Sequence, residues 1–315
     1  MKGQQDFISP LVNPFDIERP IDWSRQFPKR GPLELEIGFG LGEVMLQSAQ
    51  ERPDVNFIGI EQNWERLYKT LKARFEKRAE QNEEEFLNNI KILRIDARVA
   101  LERLFEEQSI NKVITLFPCP WPKKSHVKHR LFSHNFLKLL NSRLEPEGSA
   151  ELVTDDEKFF KWVLQESPAT GFSRTTEEIA AQFNTKFERK WQEEGQETFY
   201  KITFHKKDHI SVPIKKDVEM KSYRLKSFDP QKLQLKDEKG NVCVIFKDTL
   251  YDSDKNVMMI YAMVTEGHLF QHLRIVIAKT KDFWHIGRAD GQTLFPTNGI
   301  AKAIKRVYEC AKESS

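Results

Sequence analysis

The chain of 315 residues lacks several features that define common classes of protein. Its three cysteines, Cys119, Cys243 and Cys310, are too widely spaced to form a pair of metal ligands or a disulfide framework. No apolar run approaches the roughly 18 residues that a membrane span needs. The N-terminus has no basic-then-apolar pattern of a secretion signal. We therefore expect a cytoplasmic protein with reduced thiols, without a metal and without a membrane segment.

Charge is abundant but is divided unevenly along the chain. Charged residues make up 31% of the sequence and hydrophobic residues 39%, which is typical of a soluble globular protein. Residues 208–315 contain 18 lysines and arginines against 14 aspartates and glutamates, whereas residues 1–207 contain 32 against 33. The positive excess in the last third favours an acidic partner for that part. The length favours two domains over one.

The order of predicted elements indicates domains of different architecture. Residues 1–30 hold four prolines without periodicity and are predicted to form an arm. Over residues 31–207, short apolar strands alternate with helices, which predicts an α/β domain with a mostly parallel sheet. Over residues 208–315, consecutive strands and a final helix predict a smaller α+β domain. The predicted strands cover residues 33–37, 56–61, 90–94, 112–117, 149–153 and 198–204, and then 241–246, 257–264, 268–278 and 283–287.

The first predicted strand ends in a loop that contains Gly38, Gly40 and Gly42. Such glycines let the backbone turn sharply and let a ligand approach the main chain closely. A dinucleotide-binding loop would have a glycine at position 43, where Glu43 would repel the pyrophosphate. The loop therefore favours a ligand other than a dinucleotide.

Acidic residues stand at the ends of the first three predicted strands. Glu36 suits a cationic amino-acid group, Glu61 suits the two hydroxyls of a ribose, and Asp96 suits the exocyclic amine of adenine. In this order they indicate a site for S-adenosylmethionine. Each alone is weak evidence, since a glycine-rich turn is usually only a turn and Asp96 is also well placed to cap a helix.

The fourth predicted strand leads into residues 117–124, Phe-Pro-Cys-Pro-Trp-Pro-Lys-Lys. Three prolines fix the backbone and remove hydrogen-bond donors, so this segment neither continues the strand nor starts a helix. In open α/β sheets, ligands bind at the carboxyl edge of the strands. The segment, which we call the Pro-Trp loop, is therefore placed to meet a substrate, and its lysines favour a phosphate-bearing one. A rigid connector is the simpler alternative.

Taken together, these motifs resemble those of the TrmB-type tRNA (guanine-46-N7)-methyltransferases over roughly residues 33–204. Further matching segments are Val153-Thr-Asp155 and Thr185-Lys-Phe-Glu188. The resemblance implies a Rossmann-like class I methyltransferase sheet that uses S-adenosylmethionine and modifies tRNA, with no protein partner required. It implies cofactor contacts from Glu36, Gly38, Gly40, Glu61, Asp96, Ala97 and Cys119, and substrate contacts from Lys123, His126, Arg130, Asp155, Thr185 and Glu188. The implied catalytic positions are Cys119 and Asp155.

The chain departs from the family pattern within the Pro-Trp loop and the basic cluster after it. The family usually has aspartate where this chain has Cys119, and basic residues where it has Ser125 and His129. Guanine N7 has a lone pair and no proton to lose, so its methylation needs alignment rather than a general base. Carboxylates such as Asp155 and Glu188 could stabilise the positive charge that moves onto the purine.

Several alternatives stay open at this level. Thr185 and Glu188 have the spacing of a capping box, and Asp155 could cap the helix that follows it. Cys119 after proline is also the pattern of the nucleophile in pyrimidine methyltransferases, which would give a different acceptor base. Loss of the family aspartate could instead leave a catalytically impaired tRNA-binding protein. The C-terminal domain, with Lys302, Lys305 and Arg306 on its final helix, fits an auxiliary tRNA surface or a stability or dimerisation module.

Overall fold

The computed structural model describes residues 6–81 and 86–314, and the chain divides into two compact units at Lys215 and Lys216. The helices are α1 (Glu43–Glu51), α2 (Trp64–Gln81), α3 (Ala97–Arg103), α4 (His134–Arg143), α5 (Glu157–Glu166), α6 (Lys186–Glu193) and α7 (Asn298–Glu313). The strands of the first unit are β1 (Leu33–Ile37), β2 (Asn56–Ile60), β3 (Ile90–Leu93), β4 (Ile110–Leu116), β5 (Leu144–Thr154), β6 (Phe172–Ala180) and β7 (Thr198–Lys206). Those of the second are β8 (Tyr223–Leu225), β9 (Val242–Asp252), β10 (Val257–Glu266), β11 (Leu269–Lys279) and β12 (Trp284–Arg288).

The first unit is built on a seven-stranded sheet of order β3-β2-β1-β4-β5-β7-β6. Strands β1 to β5 are parallel, whereas β7 runs antiparallel to both β5 and β6. The central strands are apolar runs because a parallel sheet is covered on both faces; all five residues of β2 are buried. The predicted Rossmann-like α/β fold is confirmed. The chain order reverses between β1 and β4, which creates the crevice where such sheets bind ligands.

One strand of this sheet was absent from the prediction. Strand β6 carries the sequence Phe-Ser-Arg-Thr-Thr-Glu-Glu-Ile-Ala, and most of its residues are exposed. It lies at the edge of the sheet beside β7, and because most of its side chains are exposed on both faces, its sequence lacks the apolar–polar alternation that predicts a half-buried strand. Pairing with β7, rather than local sequence, decides its structure.

Segments at both ends of the first unit pack against it. In the segment predicted as an arm, Trp23 is buried, stacks on Phe105 and donates from its indole Nε1 to the carbonyl of Leu104 at 3.1 Å. At the other end, Asn141 donates to the carbonyl of Asp208 and accepts from the amide of Ile210, at 3.0 and 2.8 Å. The first unit therefore continues beyond residue 207, to Lys215.

The second unit is an antiparallel sheet of order β8-β12-β11-β10-β9 with α7 packed on one face. The α+β architecture predicted for this region is confirmed, although the three-residue β8 was not predicted. Buried side chains of the sheet, such as Ile260 and Ile275, form one core with Ile300 and Ile304 of the helix. Among the described residues, none of the helices has the length and apolar character needed to cross a membrane.

Candidate active site

The glycine loop between β1 and α1 turns through three left-handed residues. Gly38, Gly40 and Gly42 have φ angles of 75°, 57° and 70°, which glycine adopts without strain. Gly42 also has close neighbours, since a Cβ there would lie 2.4 Å from Cγ2 of Thr70. The amide of Gly38 donates to the carbonyl of Ile60 at 2.8 Å, which ties the start of the loop to the end of β2.

Glu61 connects the glycine loop with the end of β2. It is 7% exposed, and its carboxylate accepts from the backbone amides of Gly40 at 3.2 Å and Asn63 at 2.8 Å. Asn63 in turn caps α2 by accepting from the amide of Arg66 at 3.0 Å. The carboxylate is thus held in one orientation at the carboxyl edge of the sheet.

Glu36 is a half-buried acid without a cationic partner among the described residues. Desolvation by burial raises the pKa of its carboxyl from 4.5 to about 8; a hydrogen bond from the Met45 backbone opposes the rise and the charge of Glu43 adds to it. A carboxyl in this state is neutral at pH 7 until a positive group approaches it. The arrangement fits a ligand that carries a cation, such as the amino or sulfonium group of S-adenosylmethionine.

Asp96 performs the capping role that the sequence left open. Its Oδ1 accepts from the backbone amide of Arg98 at 2.8 Å, at the start of α3 next to Ala97. The Arg98 guanidinium pairs with the same carboxylate at 2.7 Å, and Gln62 donates to it at 3.1 Å. A role towards adenine stays a prediction, and any ligand there shares the carboxylate with these partners.

The Pro-Trp loop is held in place by an arginine ten residues after its second proline. Arg130 donates from Nε to the carbonyl of Pro120 at 2.8 Å and from Nη2 to that of Trp121 at 3.4 Å. Its guanidinium also lies over the ring of Trp162, 4.9 Å from the centroid. Arg130 therefore supports the loop backbone, a role that the sequence did not indicate. At the tip of the loop, Cys119 is exposed.

A basic cluster follows the loop on a short 3-10 helix, Lys124–His129. The lysines Lys123, Lys124 and Lys128 are exposed, and none forms an ion pair within residues 6–81 and 86–314. The rings of His126 and His129 lie 5.7 and 5.2 Å from that of Trp121. Lysines without ion-pair partners beside an aromatic side chain are typical of surfaces that contact nucleic acid.

Asp155 does not cap α5, because its neighbour Asp156 does so. Asp156 accepts from the amide of Phe159 at 2.7 Å. Desolvation raises the pKa of the Asp155 carboxyl, with a smaller contribution from the charge of Asp156. The Asp155 carboxylate is hydrogen-bonded to no other described residue, which leaves it available at the end of β5.

Thr185 and Glu188 form the capping box of α6. Glu188 is fully buried, and its carboxylate accepts from the amides of Gln182 at 3.0 Å, Phe183 at 3.1 Å and Thr185 at 3.0 Å. These bonds occupy the oxygens that the resemblance assigned to the guanosine. In this conformation the pair caps the N-terminus of α6. A direct contact of either residue with the substrate stays a prediction.

Glu43 joins the glycine loop to α6. Its Oε2 accepts from the backbone amide of Lys186 at 2.9 Å, and its Oε1 pairs with Arg189 at 2.6 Å. The sequence predicted only that Glu43 repels phosphate. A contact between residues so far apart in the chain leaves no local sequence signal. It brings α6 next to the carboxyl edge that carries Glu36 and Glu61.

The strand order and the glycine loop with its surrounding acids define a Rossmann-like methyltransferase. A family model described as a methyltransferase, Methyltransf_4, matches residues 30–201. The tRNA (guanine-N(7)-)-methyltransferase of Chlorobium phaeobacteroides is 43% identical over 182 residues, which are 58% of this chain and 85% of that enzyme. The enzyme of that name from Thermotoga maritima is 34% identical over 57% of this chain and 56% of its own length. The structure of the 16S rRNA methyltransferase KamB has 13% identity and a TM-score of 0.45, over 59% of this chain and 93% of that one.

The chain belongs to the family of the tRNA (guanine-N(7)-)-methyltransferases, and it is a methyltransferase. The predicted family is thereby confirmed. The chain spans most of the Chlorobium enzyme but less than two thirds of the Thermotoga one. The family model ends at residue 201, before the second unit begins.

Proposed function

We propose that this protein transfers a methyl group from S-adenosylmethionine to N7 of guanine 46 in the variable loop of tRNA. The observation that carries the proposal is the half-buried carboxyl of Glu36, which has no cationic partner among the described residues and follows directly into a glycine loop that is tied to Glu61. This arrangement suits a cationic nucleoside ligand better than a pyrophosphate. The relatives named above act on tRNA guanine N7, and the cytoplasm is where such a substrate is found.

The residues of the chain would divide the work between the two substrates. Glu36 would balance the cationic end of the cofactor, Glu61 would accept from its ribose hydroxyls, and the backbone at Gly38 and Gly40 would lie against it. When bound, S-adenosylmethionine supplies an electrophilic methyl group. The exposed lysines of the basic cluster would hold tRNA phosphates, and Lys123 lies within the Pro-Trp loop itself.

Asp155 is the residue that we propose for guanine. Its available carboxylate can accept hydrogen bonds from N1–H and N2–H₂, which adenine lacks, and can stabilise the positive charge that forms on the purine. No proton leaves N7, so the chain needs no general base for this step. Alignment of the methyl group with N7 then supplies much of the acceleration.

The test uses purified protein, methyl-labelled S-adenosylmethionine and two tRNA transcripts, one intact and one with guanine 46 replaced by adenine. We expect labelled 7-methylguanosine from the intact tRNA alone. Label in both transcripts would assign another acceptor. Binding of both substrates without label would favour the tRNA-binding role, for which the exposed Cys119 in place of the family aspartate is the motive.

A further inference from the structure

One face of the sheet of the second unit is covered by α7, and the other face carries several exposed side chains. Along β11, buried Leu273 and Ile275 alternate with exposed Phe270, His272 and Arg274. Because successive side chains of a strand point to opposite faces, the exposed set shares the face away from the helix. This outer face also carries exposed Met259 and Leu250.

A cavity of about 590 Å³ opens on the outer face. Tyr261, His272, Arg274 and Asp248 contribute to its lining, together with Gln292 from the loop after β12. The amide of Gln292 accepts from the backbone N–H of Arg274 at 2.6 Å and donates to its carbonyl at 2.8 Å. The loop is therefore fixed to the sheet and forms a built wall of the cavity.

Two rings in the cavity form a single flat surface. The planes of Tyr261 and His272 differ by 5°, with centroids 5.7 Å apart, and the tyrosine hydroxyl is hydrogen-bonded to Nδ1 of the imidazole. Parallel rings joined by such a bond lie edge to edge, because face-to-face stacking would separate the two atoms too far. The ring of Phe270 stands perpendicular to His272, at 4.7 Å. Flat aromatic surfaces of this kind stack unpaired nucleobases.

Unpaired charges flank the flat surface on both sides. In the sheet register, Tyr261 lies opposite Arg274 on β11 and opposite Asp248 on β9. Over the described ranges 6–81 and 86–314, neither of these charged side chains forms an ion pair. On α7, by contrast, Lys302 pairs with Glu238 at 2.5 Å and Arg306 with Glu309 at 3.5 Å. Arg274 of the outer face therefore offers a cation without an ion-pair partner to an acidic ligand.

We propose that the outer face of the second unit binds an unpaired nucleotide of the RNA substrate. The base stacks on Tyr261 and His272, Arg274 contacts the phosphate, and Asp248 accepts a hydrogen bond from an N–H of the base. Identification of the RNA as tRNA rests on the proposed function. The stacking site itself rests on the ring geometry and the charges of the second unit.

The test measures binding of the full chain to a tRNA transcript and to a fluorescent single-stranded RNA of five nucleotides, by anisotropy. We expect Tyr261→Ala to weaken both complexes about tenfold, the size of the loss of one base–aromatic stack, and Tyr261→Phe to keep most of the affinity. Arg274→Gln should weaken both and make binding less dependent on salt. Leu250→Ala, on the same face outside the cavity, is the matched control and should bind like the wild type.

The five-nucleotide readout separates this proposal from the proposed function, since it needs no methyl transfer. Weaker oligonucleotide binding by Tyr261→Ala supports the stacking site even where no tRNA is methylated. Wild-type affinity of Tyr261→Ala for both RNAs would overturn the proposal. The proposal would also be overturned if Tyr261→Ala changed the sedimentation of the protein but not its RNA binding. The face would then be a contact between two copies of the chain. The proposal would likewise be overturned if free GMP saturated the site and the oligonucleotide did not compete with it.

Discussion

At the scale of the residue, Glu36 shows how a desolvated carboxyl favours the binding of a cation. Its pKa of about 8 reflects the cost of burying a negative charge. Below that pH the group is neutral, and a cationic ligand must displace its proton. The carboxyl therefore discriminates in favour of positively charged ligands and against phosphates.

This state of Glu36 predicts a pH dependence of cofactor binding. The affinity for S-adenosylmethionine should rise with pH, approaching tenfold per unit, and level off above about 8, because only the ionised carboxylate pairs with the cation. Calorimetry at pH 7 in two buffers of different ionisation enthalpy should show release of a proton. Glu36→Gln should abolish that release, and Glu43→Gln should move the plateau to lower pH. A flat profile in the wild type would contradict the assignment.

The same carboxyl predicts a loss of stability with rising pH in the absence of ligand. The folded state holds the proton more tightly than the unfolded chain, in which the pKa is near 4.5. Between about pH 5 and 8 the unfolded state therefore binds fewer protons, and the free energy of unfolding falls. Thermal melts of wild type and Glu36→Gln across this range should converge at low pH and diverge towards pH 8.

Cys119 distinguishes direct methyl transfer from a covalent mechanism. In a direct transfer, guanine N7 itself attacks the methyl group and the protein supplies no nucleophile. Cys119→Ala should therefore keep kcat within about tenfold of the wild type, whereas loss of a catalytic nucleophile costs several orders of magnitude. Cys119→Asp restores the family residue and should raise kcat. Label transfer measured with the three proteins decides between the mechanisms. Complete inactivity of both folded variants would favour a covalent role.

At the scale of the element, the Pro-Trp loop depends on contacts outside itself. Phe117 and Trp121 have φ angles of 50° and 44°, which cost energy for residues with a side chain. Arg130, which packs on Trp162, holds the carbonyls of Pro120 and Trp121, and the amide of Phe117 donates to the carbonyl of Val153 at 2.8 Å. The shape of the loop therefore depends on residues outside it, including Arg130 and Trp162.

Arg130 and Lys123 should therefore respond differently to substitution. Arg130→Lys keeps the charge but loses the planar contacts, so kcat/KM should fall about tenfold with an unchanged salt dependence of tRNA binding. Lys123→Ala should reduce the slope of log affinity against log salt by about one, as expected for one lost phosphate contact. Filter binding from 50 to 300 mM salt measures both slopes, a range of about sixfold in ionic strength. An equal loss of slope in Arg130→Lys would place Arg130 on the phosphate instead.

At the scale of the whole molecule, the first unit includes a segment that follows its last strand. Arg143 is buried and donates to the carbonyls of Leu101 at 2.6 Å and Val212 at 2.9 Å. Asn141 holds the backbone of residues 208 and 210. Removal of the segment after residue 207 would therefore take away the Val212 carbonyl from Arg143 and the backbone partners of Asn141.

Two truncations test this boundary. A chain ending at Lys215 should fold, whereas one ending at Lys207 leaves Asn141 and Arg143 without these partners and should lose about 2–5 kcal/mol of unfolding free energy. For a domain of this size, that corresponds to a melting temperature lower by roughly 5–15 °C. Equal melting temperatures would show that the segment contributes nothing. The protein that ends at Lys215 should also have a higher KM for tRNA than the full chain if the second unit binds RNA.

The sequence by itself determined the parallel core of the first unit, its glycine loop and the family. Buried parallel strands are continuous apolar runs, and Gly38, Gly40 and Gly42 are required by the left-handed turns. Such signals depend on neighbouring residues of the sequence, so they can be read without knowing the tertiary structure.

Only the tertiary structure decided the other features. The capping role of Asp96, the saturation of Glu188, the support of the loop by Arg130 and the pairing of Glu43 with α6 all depend on groups that meet in space. The same holds for Tyr261 and His272, which are eleven residues apart and lie on different strands. Hydrogen bonding, desolvation and ring contacts act over a few ångströms, and the distance between residues along the chain does not encode which of them come that close.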